Sequence, residues 1–192
     1  MIRSFVAVSL PQDVRQALER TALPFKRLGL NARFASPGSM HLTLKFLGDI
    51  EPGRVDSLAA QISGAACIHA PFRLTLGTLG VFPGRRRPRV LWRGMRGIVP
   101  LLELQRSVSS LLAQEGFEPD KRPYAPHLTL ARLRSPRGSQ ALLEEVERFN
   151  EEYEESQAEA FEVTQVNLFQ SILKPSGAEY RILSSAPLEG GP

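Results

Sequence analysis

The stretches His41-Leu42-Thr43-Leu44 and His127-Leu128-Thr129-Leu130 repeat one tetrapeptide in a chain of 192 residues that contains three histidines. Aliphatic and β-branched residues dominate both stretches, which predicts β-strands. Because side chains alternate between the faces of a strand, His and Thr point one way and the leucines point into a core. Each stretch therefore presents an imidazole beside a hydroxyl. Two such units supply an acid, a base and two hydroxyl donors, which suits phosphoester cleavage without a metal.

The two motifs lie within a longer internal repeat. Residues 72–82 resemble residues 161–169, and residues 4–8 have a counterpart in residues 88–92. Each half of the chain is predicted to run strand, helix, motif strand, helix, strand. The predicted helices cover residues 13–28, 54–66, 98–112 and 139–153, and Pro24 should interrupt or end the first of them. We expect an α+β fold, a single domain over residues 1–192 built as two pseudo-symmetric lobes with a site between them.

Composition fits a protein with its own core. The chain is 42% hydrophobic, its formal net charge is +4 and its sequence pI is near 9.6, which favours an anionic partner. A single cysteine, Cys67, excludes an intramolecular disulfide. No run of residues reads as a signal peptide or reaches membrane-spanning length. We therefore expect a cytoplasmic monomer that does not associate with membranes.

Basic residues occur in a separate run and again close to the second motif. The run Arg85-Arg86-Arg87-Pro88-Arg89 follows Pro83-Gly84 and forms a loop tip, which is either a solvated loop or a contact for RNA phosphates, Arg87 among them. Arg132 lies three residues after Thr129. Strict alternation places these two side chains on opposite faces of the strand, unless a β-bulge turns Arg132 round.

The sequence offers little support for a metal or a nucleotide cofactor. The two motif histidines have no carboxylate or cysteine at the spacing that would complete a zinc site. The chain lacks the glycine-rich loop that binds ATP phosphates. The third histidine, His69, has no threonine two residues later and precedes Pro71 in a predicted loop. We therefore predict no metal and no cofactor, and a structural or surface role for His69.

These residues together resemble the 2H phosphoesterase superfamily, and more closely its RNA 2′,3′-cyclic phosphodiesterases, also called 2′-5′ RNA ligases. The resemblance spans nearly the whole chain. It rests on both His motifs with their flanks and on segments 3–8, 82–92 and 168–171 with Tyr180. It implies a bilobal α+β fold, with antiparallel sheets around a central cleft and helices outside, and a metal-independent hydrolase.

The resemblance also implies a reaction. The expected substrate is RNA that ends in a 2′,3′-cyclic phosphate, which is hydrolysed to a 2′-phosphate. His41 protonates the departing 3′-oxygen, His127 activates water and Arg132 contacts the phosphate. Thr43 and Thr129 are suited to donate hydrogen bonds to the nonbridging oxygens, where charge grows in the transition state. The reverse reaction joins a 5′-hydroxyl end to the cyclic phosphate as a 2′-5′ linkage without ATP.

Several alternatives stay open at this level. Phe46 is predicted either to stack on a base or to lie in the core, and Tyr124 is predicted to line the mouth of the cleft. Two rival functions fit the residues less well. One is a phosphodiesterase for 2′-5′ oligonucleotides or small cyclic nucleotide phosphates. The other is a non-catalytic RNA-binding module, which would need no paired acid and base.

Overall fold

A computed structural model describes residues 1–174 and 177–191. Its helices are α1 (Gln12–Arg27), α2 (Val55–Ala66), α3 (Val99–Gln114) and α4 (Ser139–Glu151). Its strands are β1 (Ile2–Ser9), β2 (Ala32–Phe34), β3 (His41–Ile50), β4 (Phe72–Phe82), β5 (Val90–Arg96), β6 (Leu128–Leu133), β7 (Ala160–Val163), β8 (Gln165–Lys174) and β9 (Gly177–Pro187). None of these helices combines the length and the apolar character that crossing a membrane requires.

The strands form two antiparallel sheets. The first has the order β3-β1-β8-β9 and the second has the order β2-β6-β5-β4-β7. Helices α2 and α3 contact the first sheet, and α1 and α4 contact the second. Leu42 of β3 and Leu130 of β6 are both fully buried and belong to one continuous core. The predicted α+β architecture with antiparallel sheets is confirmed, and each motif strand belongs to a different sheet.

The two sheets do not correspond to the two halves of the chain, as the internal repeat had suggested. Strand β4 comes from the first half but pairs with β5 of the second, and β8 of the second half pairs with β1. The helices cross over as well, since α1 contacts β6 and α3 contacts β3. A sequence repeat shows which elements recur. It does not show which copy they pair with, because that is decided by packing between distant segments.

Two local predictions are wrong. The last strand of the second half, which the repeat of residues 72–82 predicted over residues 161–169, is instead two strands in different sheets, since β7 ends at Val163 and β8 begins at Gln165. Thr164 and Gln165 are exposed in succession, which breaks the alternation of a single strand. Helix α1 continues through Pro24 to Arg27. Its buried face, which includes Phe25, supplies enough packing to offset the missing backbone donor.

Candidate active site

The two motif histidines make the same hydrogen bond, from Nδ1 to the backbone carbonyl two residues earlier. Nδ1 of His41 lies 2.9 Å from the backbone carbonyl oxygen of Ser39, and Nδ1 of His127 lies 2.8 Å from that of Ala125. A carbonyl oxygen only accepts hydrogen bonds, so each Nδ1 carries the proton and donates it. The nitrogen left to gain or lose a proton is Nε2 in both rings. Both imidazoles are half-buried, which leaves them accessible to a ligand.

Aromatic side chains surround His41. The ring centroids of Phe5 and Tyr180 lie 4.5 and 4.8 Å from that of the imidazole, and Phe169 lies 6.2 Å away. Phe5 and Phe169, with Ala7 and Tyr180, form a small cluster separate from the main core. This cluster marks the face of the first sheet that is turned away from the helices, and we call that face the cleft face of the sheet.

The environment of His41 disfavours its charged form. Burial is the main cause that lowers the pKa of His41 from its ordinary value of 6.5 to about 4. The hydrogen bond to Ser39 opposes this shift, and the positive charge of Arg132 adds to it. Arg132 lies on β6, so a residue of the second motif strand lowers the pKa of the histidine in the first motif.

His127 has a different set of aromatic neighbours. The ring of Phe82 meets it edge-on at 5.0 Å, and Trp92 lies 6.5 Å away. Trp92 lies across Gly80 of the neighbouring strand, where an added Cβ would come within 2.2 Å of the indole. A glycine is therefore needed at position 80 for the indole to reach this place beneath the second motif.

A β-bulge turns Arg132 onto the face of the second sheet that carries Thr129, which we call the cleft face of the second sheet. Trp92 lies opposite Thr129 but Leu91 lies opposite Ala131, so Leu130 is an extra residue in β6. Leu130 and Ala131 are both buried in succession, whereas Thr129 is half-buried and Arg132 is exposed. The bulge thus restores Arg132 to the face of Thr129. Strict alternation, which pointed Arg132 away, is overridden.

The first motif strand carries the same irregularity. Val6 lies opposite Lys45 but Ala7 lies opposite Thr43, so Leu44 is the extra residue in β3. Phe46 therefore shares the face of Thr43, as Arg132 shares that of Thr129. Its side chain is 66% exposed, so it does not lie in the core. The contact of Phe46 with a base stays a prediction, supported by this exposure.

Tyr124 and Arg87 are the remaining predicted site residues. The Tyr124 hydroxyl donates a 2.8 Å hydrogen bond to the backbone carbonyl of Thr43, and the ring lines a cavity beside α3. Its predicted contact with substrate stays a prediction. Arg87 is exposed in the turn between β4 and β5. Its neighbour Arg85 forms an ion pair with Glu147 of α4, so the basic run is not directed as a whole at the cleft.

One residue that sequence reasoning missed is Arg33. It lies directly opposite Arg132 in the β2–β6 ladder, and its side chain is exposed. Residues directly opposite one another share a face, so the Arg33 and Arg132 side chains leave the second sheet on the same face. The short strand β2 could be found only from the structure, because three residues give too little periodicity to detect. No metal is predicted from the sequence, and the described residues contain no group of three or more His, Cys, Asp and Glu side chains placed to hold one.

Comparison with known proteins identifies the family. The family model described as the 2′-5′ RNA ligase superfamily matches residues 30–172, a span that includes both motifs. The chain belongs to the 2′-5′ RNA ligase superfamily. An RNA 2′,3′-cyclic phosphodiesterase of Methanothermobacter thermautotrophicus is 31% identical over 179 residues, which cover 93% of this chain and 95% of that protein. One of Aeropyrum pernix is 31% identical over 173 residues, 88% of this chain and 90% of that one.

Solved structures of other proteins share the fold. The protein TT0787 of Thermus thermophilus superimposes with a TM-score of 0.78 at 27% identity, over 100% of both chains. Escherichia coli LigT in complex with 3′-AMP has a TM-score of 0.75 at 24% identity, over 97% of this chain and 98% of that one. At 24% identity, the likeness to LigT shows a shared fold and nothing further about this chain.

Proposed function

We propose that this protein hydrolyses the 2′,3′-cyclic phosphate at the end of an RNA and leaves a 2′-phosphate. The observation that carries the proposal is the matched pair of imidazoles, each with Nδ1 bound to a carbonyl and Nε2 left for proton exchange. The relatives named as RNA 2′,3′-cyclic phosphodiesterases, at 31% identity over most of the chain, support the choice of substrate.

Ring opening requires two proton transfers. His127 accepts a proton from the attacking water, and His41 delivers one to the departing 3′-oxygen of the ribose. The hydroxyls of Thr43 and Thr129 and the guanidinium of Arg132 stabilise the negative charge on the nonbridging oxygens. Attack by the 5′-hydroxyl of another RNA in place of water gives a 2′-5′ linkage, and this step needs no ATP because the cyclic diester is already strained.

The low pKa of His41 places a condition on this mechanism. At neutral pH the free protein holds His41 largely uncharged, since its pKa is about 4. A bound phosphate offsets the positive charge of Arg132 and accepts a hydrogen bond from the imidazolium. Both effects raise the pKa of His41. Restoring the proton near pH 7 takes about 4 kcal/mol, which is of the order of two charge-assisted hydrogen bonds. Substrate binding therefore favours the protonated form of His41, which is the form that the reaction requires.

One chain supplies every group in this scheme. We accordingly propose that it acts as a monomeric, single two-lobed domain in the cytoplasm, with no cofactor. The rival proposal of a non-catalytic RNA-binding module gives no reason for two imidazoles with the same tautomer. Two hydroxyls beside them would be equally unexplained.

The assignment of acid and base can be tested by changing the leaving group. Thymidine 3′-(p-nitrophenyl phosphate) releases p-nitrophenolate, which needs no proton, whereas the cyclic phosphate releases an alkoxide, which does. His41→Ala should lose far less activity on the aryl ester than on the cyclic phosphate. His127→Ala should lose activity equally on both substrates, because both require an activated water. The opposite pattern would make His41 the base and His127 the acid.

A further inference from the structure

The carbonyls that orient the two histidines lie on segments anchored to the opposite motif strand. The segment that leads to Ser39 begins with β2, which pairs with β6, and continues with a hydrogen bond of 2.8 Å from the Ala35 amide to the Leu130 carbonyl. The orientation of His41 is therefore fixed by a segment held on the strand that carries Thr129.

The reverse holds for His127. The segment that leads to Ala125 is anchored to β3 by the Tyr124 hydroxyl, which donates to the Thr43 carbonyl at 2.8 Å. A second anchor is the buried Lys45 ammonium, which donates to the Glu118 carbonyl at 2.5 Å and to Asp120 Oδ2 at 3.2 Å. Strand β3 is an edge strand of its sheet, so this segment binds along an edge that has no neighbouring strand among the described residues.

The two anchors differ in kind. The segment before His41 is held by backbone pairing, which no single side chain controls. The segment before His127 is held by side chains, and Tyr124 is next to the residue whose carbonyl binds the imidazole. Burial raises the pKa of the Tyr124 hydroxyl, which therefore stays protonated and remains a donor throughout the working range of pH. One hydroxyl thus connects the strand of the first motif to the orientation of the second histidine.

We propose that Tyr124 is a positioning residue that fixes the tautomer and orientation of His127 by holding the Ala125 carbonyl through its bond to the strand of His41 and Thr43. This inference rests on the proposed function and deepens it. Each imidazole is then oriented by a segment anchored to the sheet of the other, so both acid–base groups are aligned only while the two sheets are packed together. Fixing the tautomer matters, since a catalytic histidine in the wrong tautomer loses rate by factors of about 10⁴.

The test is Tyr124→Phe, which removes only the hydroxyl. We expect kcat on the cyclic phosphate to fall roughly 10–100-fold, the scale of a small misplacement of a catalytic group, with KM nearly unchanged. The ¹⁵N chemical shifts of His127 should move from the Nδ1–H tautomer toward a mixture, while those of His41 stay as in the wild type. The chemical shifts report the tautomer without any turnover, so this arm remains informative if the proposed reaction is wrong.

The chain offers a matched control. The Tyr153 hydroxyl also donates to a backbone carbonyl, that of Leu76, at 2.9 Å, and this bond involves neither motif strand. Tyr153→Phe should leave kcat and the His127 spectrum unchanged. If Tyr124→Phe unfolds, Lys45→Met removes the other anchor of the same segment and should shift the His127 tautomer in the same direction. Wild-type kcat in Tyr124→Phe, or a lowered kcat with an unchanged His127 spectrum, would overturn the proposal.

Discussion

Replacing His41 should change how the stability of the protein depends on pH. The folded-state pKa of about 4 lies below the ordinary value of 6.5, so the unfolded chain binds a proton first as the pH falls. The corresponding stability is fully present above pH 6.5 and is lost as the pH falls from 6.5 to about 4. This difference between the folded and unfolded pKa values corresponds to about 3 kcal/mol.

The assay is urea unfolding of the wild type and His41→Asn at a series of pH values between about 7 and 4. Carboxylates titrate in both proteins, so the difference between the two curves isolates His41. Over this range the free energy of unfolding of the wild type should fall by about 3 kcal/mol more than that of the variant. The free energy of unfolding of Arg132→Gln should fall by less than that of the wild type but by more than that of His41→Asn. The reason is that the arginine contributes less than burial to the low pKa of His41. Parallel curves for the wild type and His41→Asn would show that the pKa of His41 is not lowered on folding.

Three further predictions concern substrate. Arg132→Ala and Thr129→Val should each lower kcat by roughly 10–1000-fold, the scale of removing one oxyanion donor; steady-state kinetics with unchanged rates would show that neither side chain reaches the phosphate. Arg87→Ala should raise the KM of an oligonucleotide and flatten its salt dependence without affecting a cyclic mononucleotide, whereas Arg85→Ala, whose guanidinium is paired on α4, should alter neither. Equal effects of the two arginine variants would remove Arg87 from the RNA path. Phe46→Ala should raise KM about 5–150-fold with kcat retained, if stacking on one base contributes about 1–3 kcal/mol; an unchanged KM would contradict base stacking.

Local pattern was enough to predict the motif strands and what they carry. The His-x-Thr spacing predicted that imidazole and hydroxyl share a face, and in both strands the intervening leucines are buried. The burial of these leucines could be predicted because strand alternation is a local property of the backbone. Strand β6 begins only at Leu128, however, so His127 lies just outside the strand that was predicted to include it. The resemblance to known phosphoesterases supplied Arg132, which alternation alone had directed to the other face.

Long-range packing decided what the sequence did not reveal. The bulges at Leu44 and Leu130 each insert one residue into the ladder, and they are set by the register with β1 and β5 rather than by any signal in the motif. Strands β4 and β8 likewise pair with strands from the other half of the chain. The sequence does not show this, because the two halves offer similar partner strands. The bond from Tyr124 to Thr43 joins residues 81 positions apart, beyond the reach of any periodicity.

Product analysis can show whether the two histidines open a cyclic phosphate without a metal. An oligonucleotide ending in a 2′,3′-cyclic phosphate is incubated with the protein in EDTA, and its end groups are followed by ³¹P NMR. We expect full conversion to a 2′-phosphate by the wild type and almost none by His41→Ala or His127→Ala. Failure of the wild type in EDTA, or near-normal turnover by either variant, would contradict this mechanism.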